Sequence, residues 1–270
     1  MGIKLKRMGV DMENKVIITY VYHSCYTVET NDLFIIFDYY KGKLNIPEDK
    51  EVIFVSTHSH EDHYTSEILK VPDMEKITYI LSSDIGKLSS NENIIFIKDD
   101  KLSMDQLKSL YNSDNVHFVG ENKIYQIKLQ SGKVIKAKTY GSTDRGISIL
   151  LFVDGITIFH AGDLNFWAWP ENDEVTMQKE YDDFMTEVKK IKNEYIDICF
   201  FPVDNRLQEN YYKGADIFIN EVRPQIFFPM HFGSNEDISV KFKKNFSYEF
   251  TDVKEILEAN QKTVIKIDEN

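Results

Sequence analysis

Short apolar, β-branched runs recur along the whole chain, bounded by glycine, proline, asparagine and aspartate, and this pattern predicts strands. Residues 16–22, 33–37, 52–55, 77–81, 94–97 and 116–119 read as one series. A strand-like apolar run also surrounds Cys25 and Val28. A second series follows at 124–127, 134–139, 147–153, 156–159, 196–201 and 226–228. Between the runs the period changes. Tyr181, Phe184, Met185, Val188 and Ile191 fall on one stripe of a helix facing a core. Shorter helices are expected at 105–111 and 253–259, and 215–222 reads as a helix leading into a buried strand. The alternation predicts an α/β chain in which two sheets pack face to face with helices outside. No short-period repeat or heptad run appears, which sets aside solenoids and coiled coils.

The chain has 270 residues, 42% of them hydrophobic, enough to bury a large core, and no composition break divides it. Lys and Arg total 32 against 44 Asp and Glu, for a formal net charge of -12. That balance disfavours a generic binder of nucleic acid or anionic membrane. Cys25 and Cys199 each sit in an apolar run, so small buried thiols are expected rather than a bridge. No segment approaches membrane-spanning length and no secretory leader is evident, so a cytoplasmic location is the expectation.

The densest chemistry is the run Thr57-His58-Ser59-His60-Glu61-Asp62-His63, directly after the apolar segment ending at Val55. In an extended segment side chains at i and i+2 point the same way, so His58 and His60 can grip one ion from a strand end. Asp62 and His63, where the chain turns, can reach a second. Imidazole and carboxylate together suit zinc, iron or manganese. Two later strands end in ligand-type residues as well. Ile156-Thr157-Ile158-Phe159-His160-Ala161-Gly162 leads to Asp163, whose two oxygens can bridge two cations. Phe227-Phe228-Pro229-Met230 leads to His231. The sequence contains no Gly-x-Ser-x-Gly elbow, Walker-type phosphate loop or Gly-x-Gly-x-x-Gly, which leaves metal-activated water as the expected nucleophile.

The His58-x-His60-x-Asp62-His63 segment, the aspartate of Phe159-His160-Ala161-Gly162-Asp163 and the histidine of Phe228-Pro229-Met230-His231 together resemble the metallo-β-lactamase superfamily. Within it, the sequence is similar to the group related to ascorbate-phosphate lactonases and to phospholipase D enzymes acting on N-acylated lipids. The resemblance covers about residues 16–235. It implies a four-layer αββα sandwich with metals at one edge, here formed by a single domain over residues 1–270. It also implies that His58 and His60 hold one metal, that Asp62, His63 and His231 hold the second, and that Asp163 bridges them. Zinc, one or two ions per chain, is the implied cofactor, with Mn2+ or Fe2+ as alternatives. Asp62 would orient the nucleophile or relay its proton.

One position departs from the family. Where it supplies a further histidine, this chain reads Tyr140-Gly141-Ser142-Thr143-Asp144-Arg145-Gly146. Ser142 is a poor zinc ligand, and Asp144 is a carboxylate substitute that would favour a harder ion. His117 is expected in the core or on the surface, His160 beside the ligands, and His23 in either setting. For substrate contact, Tyr64, Arg145, Phe166, Trp167, Trp169 and Arg206 are the candidates, the arginines because guanidinium forks match phosphate and carboxylate. The expected function is a metal-dependent hydrolase of a small anionic or acyl molecule, a lactone, ester or phosphodiester. The competing readings are a metal-binding or sensing protein without turnover and an RNA-processing nuclease. The missing histidine favours the first of these, and the acidic charge opposes the second.

Overall fold

The computed structural model describes residues 15–71, 76–88, 94–96 and 113–266, and gives only the backbone at 87, 88 and 94–96. The strands are β1 (Lys15–Tyr22), β2 (Cys25–Glu29), β3 (Leu33–Phe37), β4 (Glu51–Ser56), β5 (Ile77–Ser82), β6 (Gly86–Leu88), β7 (Ile94–Phe96) and β8 (Val116–Val119). They continue with β9 (Ile124–Lys128), β10 (Val134–Tyr140), β11 (Ser148–Val153), β12 (Ile156–His160), β13 (Ile198–Pro202), β14 (Ile226–Met230), β15 (Asp252–Val253) and β16 (Lys262–Lys266). The helices are α1 (Glu174–Ile191), α2 (Lys213–Val222) and α3 (Asp237–Asn245).

Two seven-stranded sheets form, in the orders β16-β1-β2-β3-β4-β5-β8 and β15-β14-β13-β12-β11-β10-β9. Both are mixed. Strands β3, β4, β5 and β8 run parallel, as do β12 to β15, and the remaining pairs are antiparallel. The two series of apolar runs therefore correspond to the two sheets, except that the run starting at Ile94 forms β7, which pairs with β6 in a separate two-stranded sheet, and that β15 and β16 lie outside both series. Strand β16 returns from the C-terminal end to pair with β1, Val16 opposite Ile265. Its sequence, Lys-Thr-Val-Ile-Lys, is a short edge strand with lysine at both ends, a composition that protects an open edge and gives little apolar signal.

Central strands are apolar at every position because both faces are covered. Leu33, Ile35 and Phe37 of β3 and Ile53 and Val55 of β4 point into the core between the sheets, among Phe159, Phe200 and Phe228. Their neighbours Phe34, Ile36, Val52 and Phe54 point to the outer face, where Ile68 and Leu69 cover them. On the second sheet, α1 lays Phe184, Val188 and Ile191 into the core, as the stripe predicts, and its first turn is capped by Asp173, which accepts from the Thr176 amide at 2.8 Å. Helix α2 ends at Arg223 in the left-handed conformation (φ 60°), and β14 follows. The expected α/β sandwich of two packed mixed sheets is present.

The helix expected over 253–259 does not form. The chain there runs as the short strand β15 and then irregularly, because its donors are taken by other elements: the Lys254 amide bonds Phe227 O at 2.8 Å and the Ile256 amide bonds Ser239 Oγ at 2.9 Å. Those bonds replace the i to i−4 ladder that the apolar spacing suggested. The helix expected over 105–111 lies outside the described residues. Cys25 and Cys199 are buried and unbridged. Among the described residues no helix is long and apolar enough to cross a membrane.

Candidate metal centre

The carboxyl ends of β3, β4, β12, β13 and β14 meet along one edge of the sandwich, and each delivers a ligand-type side chain in the residues just after it. From β4 the chain passes through Thr57, whose carbonyl accepts the Ile147 amide at 3.0 Å and so ties the first sheet to the second. His58 and His60 follow. The chain then turns, with the His63 and Tyr64 amides both bonded to His60 O at 3.0 Å, which brings His63 back beneath His58. His58, His63, Asp163 and His231 are all closed to solvent, whereas His60 and Asp62 are half-buried.

Asp163 is the hub. Its Oδ1 lies 3.0 Å from His63 Nε2 and 3.2 Å from His231 Nε2. Its Oδ2 lies 3.2 Å from His58 Nε2 and 3.8 Å from His60 Nδ1. Each carboxylate oxygen thus serves a different pair of histidines. Asp62 reaches His23, with Oδ2 3.2 Å from Nε2. Potential ligand atoms fall within 4.8 Å of one another in two clusters that share this edge: His58, His60 and Asp163, and His23, Asp62, His63 and His231. A third group, Asp38, His58 and His63, overlaps both.

Hydrogen bonds fix where the protons sit on these rings. His63 Nδ1 donates to Asp38 Oδ2 at 2.7 Å, and His231 Nδ1 donates to Asp204 Oδ2 at 2.9 Å. Thr57 Oγ1 gives its only proton to Asp38 Oδ2 (2.7 Å) and therefore accepts from His58 Nδ1 at 3.1 Å. In their neutral forms all three rings carry the proton on Nδ1; the Nε2 lone pairs of His63 and His231 face Asp163, and that of His58 lies between Asp163 Oδ2 (3.2 Å) and His60 Nδ1 (3.0 Å). His63 Nε2, His231 Nε2 and Asp163 Oδ1 are buried and have no hydrogen-bond partner. Lone pairs facing a carboxylate at this range repel unless a cation lies among them, so these residues fit a metal ion. Carboxylate partners behind ligating imidazoles are the arrangement such sites use to orient the ring.

The electrostatics agree. Burial alone would raise the Asp163 carboxyl, but His63 and His231 outweigh it and hold it well below the usual carboxylate range. Burial likewise opposes a charged His63, yet Asp163 and Asp38 raise it well above an ordinary imidazole, and Asp163 raises His231 in the same way. In the metal-free chain a proton can take the ion's place. His60 is raised, chiefly by the neighbouring Asp163 carboxylate. Burial acts the other way on Asp204, where bonds from His231 and Arg206 bring it down to about 2.

The remaining predicted residues fall in three places. Asp144 is exposed, with its Oδ2 3.8 Å from His60 Nδ1, and it belongs to none of the ligand clusters, while Ser142 Oγ accepts the Asp144 amide at 3.3 Å. Trp167 and Trp169 stack in parallel (5.8 Å between centroids, 7°) and wall a cavity of about 540 Å³ that opens onto His60, Asp62 and His231. Arg206 lines the same cavity, its guanidinium over Trp169 at 5.7 Å and its Nε bonded to both Asp204 oxygens at 3.0 and 2.9 Å. Tyr64 instead packs on the outer apolar cluster, Arg145 reaches Ser59 Oγ at 3.4 Å, and Phe166 turns into the core against Tyr181. His117 is half-buried on β8, the edge strand. His160 donates from Nε2 to Ser24 O (3.0 Å) and accepts the Gly162 amide on Nδ1 (3.1 Å), holding the turn that presents Asp163.

Sequence reading missed Asp38 and Asp204 as supports and left His23 undecided. The signal for the first two was present: each follows an apolar strand, β3 or β13, as Asp163 follows β12.

The family model of the beta-lactamase superfamily domain matches residues 17–231. The chain belongs to the beta-lactamase superfamily. Among solved structures, Igni18, a metallo hydrolase of the archaeon Ignicoccus hospitalis, shares 17% identity at a TM-score of 0.60, covering 94% of this chain and all (100%) of its own. The metallo-beta-lactamase fold protein YhfI of Bacillus subtilis shares 11% at 0.53, over 93% of this chain and 99% of its own. CmlA, a diiron β-hydroxylase of Streptomyces venezuelae, shares 11% at 0.54, over 94% of this chain and 54% of its own. These likenesses establish the fold. No curated protein matches the sequence.

Proposed function

We propose that this protein is a metal-dependent hydrolase with a dinuclear centre, acting on a small anionic or acyl substrate. The observation that carries the reading is the division of Asp163: one oxygen faces His63 and His231, the other His58 and His60, and the rings of His63 and His231 are fixed with their lone pairs toward it. His58, His60, Asp163 and Asp144 would hold one ion, and Asp62, His63, His231 and Asp163 the other. Ions held there supply a nucleophile at neutral pH and Lewis-acid polarisation of a carbonyl or phosphoryl oxygen. Zinc suits the histidine-rich second set. The carboxylate Asp144 makes the first set harder, which favours manganese or iron there.

The chain's own residues do the rest. Asp62, half-buried at the cavity floor, is placed to orient the attacking group and accept its proton. Trp167 and Trp169 exclude water from one wall and present flat apolar surface to the substrate's body. Arg206 commits Nε and Nη2 to Asp204, leaving Nη1 to meet an anionic group. The cavity also carries Lys179, paired with Asp183 at 2.9 Å, and Glu180, a mixed lining suited to a compact polar molecule rather than to a polyanion.

Metal content of protein purified without added metal, followed by hydrolysis assays on lactones, activated esters and phosphodiesters, tests the proposal. Turnover on one class that is lost on chelation and restored by one added ion is expected. Tight ion binding with no turnover on any class would instead favour a metal-sensing protein.

A further inference from the structure

By distance alone His23 is a metal ligand. Its Nε2 groups with Asp62, His63 and His231, and its ring lies 4.2 Å from that of His231. The proton positions say otherwise. The Gly233 amide donates to His23 Nδ1 at 2.9 Å. A backbone amide only donates, so Nδ1 must present its lone pair, and the single proton of a neutral imidazole is then on Nε2. Nε2 lies 3.2 Å from Asp62 Oδ2, a close contact without hydrogen-bond alignment. His58, His63 and His231 have the reverse arrangement, with carboxylate or hydroxyl acceptors on Nδ1. Flipping His23 to the ligand tautomer would set its Nδ1–H against the Gly233 N–H.

The ring cannot swing away from this choice. His23 is in the left-handed conformation (φ 56°) at the irregularity where β1 crosses to β2. Its amide donates to Tyr20 Oη at 2.9 Å, Tyr20 Oη donates to Gly233 O at 3.0 Å, and its carbonyl accepts the His231 amide at 3.0 Å. Three of these bonds, counting the Gly233 contact with Nδ1, clamp this turn to the residues after β14, and the fourth braces the turn itself. Asp62, by contrast, is 42% exposed, and Oδ2 is the oxygen it turns toward His23.

We propose that His23 is a positioning residue for Asp62: fixed as the Nε2–H tautomer by Gly233, it engages Oδ2 at close range and leaves Oδ1 as the oxygen that Asp62 offers to the metal centre and the nucleophile. Its Nε2 groups with the atoms that would hold the second ion, yet it would not itself be a ligand. This rests on the metal-centre reading given above. It makes that reading more specific, because the second ion then has a single oxygen of Asp62 and two imidazoles from the chain besides Asp163.

Long-range 1H–15N correlation on the histidine rings of the full chain, metal-free and metal-loaded, tests the assignment directly. The expected result is the Nε2–H pattern for His23 in both samples. An Nδ1–H pattern in the loaded sample would make it a ligand and overturn the proposal. The signals are assigned by their loss in His23→Gln, which keeps a donor near the Nε2 position. That variant should retain the wild-type ion content, while His23→Leu should weaken the second ion by about tenfold, the scale seen for groups behind the ligands. Loss of one whole ion from His23→Gln would also overturn the proposal. A wild-type chain that takes up no ion would count against the metal-centre reading instead, and the metal-free spectrum would still decide the tautomer.

Discussion

Nδ1 of His63 lies 2.7 Å from Oδ2 of Asp38, and both side chains are sealed from solvent. Asp38 also accepts the Thr57 amide through Oδ1 at 2.7 Å, so one carboxylate sets both the ring of a ligand and the backbone from which the next ligands project. Burial opposes its charge, and His160 and His63 keep it ionised regardless.

Asp38→Asn should therefore weaken metal binding without abolishing it. An amide nitrogen on the Oδ2 side would turn a donor toward the His63 Nδ1–H, and losses of about 10–100-fold in affinity are the scale for such partners. Chelator competition measures this; an unchanged affinity would refute the role given to Asp38.

His60→Ala and His231→Ala should remove different ions, since the two rings face different oxygens of Asp163. Elemental analysis of each variant is expected to show about one ion fewer per chain, with the survivor distinguishable when one site is loaded with cobalt and followed by its absorption. Unchanged metal in His60→Ala would sink the ligand assignment for that residue.

Gly146→Ala tests the packing of the ligand segment. Gly146 has φ 72°, and a Cβ there would stand 2.2 Å from Thr57 O and 2.5 Å from His58 Cβ. The left-handed backbone costs an alanine about 1–2 kcal/mol before any clash, so a loss of about 2 kcal/mol or more in denaturant titration is expected, together with weakened metal binding. A variant as stable as wild type would show that this turn has slack.

Phe201→Ala is the complementary control. Phe201 is fully buried and stacks on Phe218 at 4.5 Å between centroids. Its truncation should cost about 3–5 kcal/mol with ion content unchanged in the folded fraction.

Chelation should lower the melting temperature, and metal should restore it. An ion that binds only the folded chain stabilises it by about 2.7 kcal/mol at a hundredfold excess over its dissociation constant. A melting temperature indifferent to chelator would mean that the centre binds metal too weakly to matter to the fold.

Much of this was legible in the chain itself. Buried parallel strands announce themselves as uninterrupted apolar runs, so β3, β4 and the two-sheet division followed from pattern, and ligands at strand ends could be named one by one. What stayed hidden depends on long-range bonding. The segment 253–259 has helical spacing, but its amides are claimed by Phe227 O and Ser239 Oγ, partners far away in sequence. Strand β16 gains its meaning only from β1. His23 shows the limit most clearly, because what separates it from His231 is a proton position set by Gly233, 210 residues on.

The cross-sheet origin of the centre has a consequence for assembly. The segment from His58 to His63 belongs to the first sheet, Asp163 and His231 to the second, and β16 completes the first sheet only at residue 266. The first sheet alone would present only the half of the proposed ligand set that lies between His58 and His63, and that sheet lacks its outermost strand until the chain returns from the second. Tight metal capture would then require both sheets to be in place, and a bound ion would report that the two halves of the fold have come together.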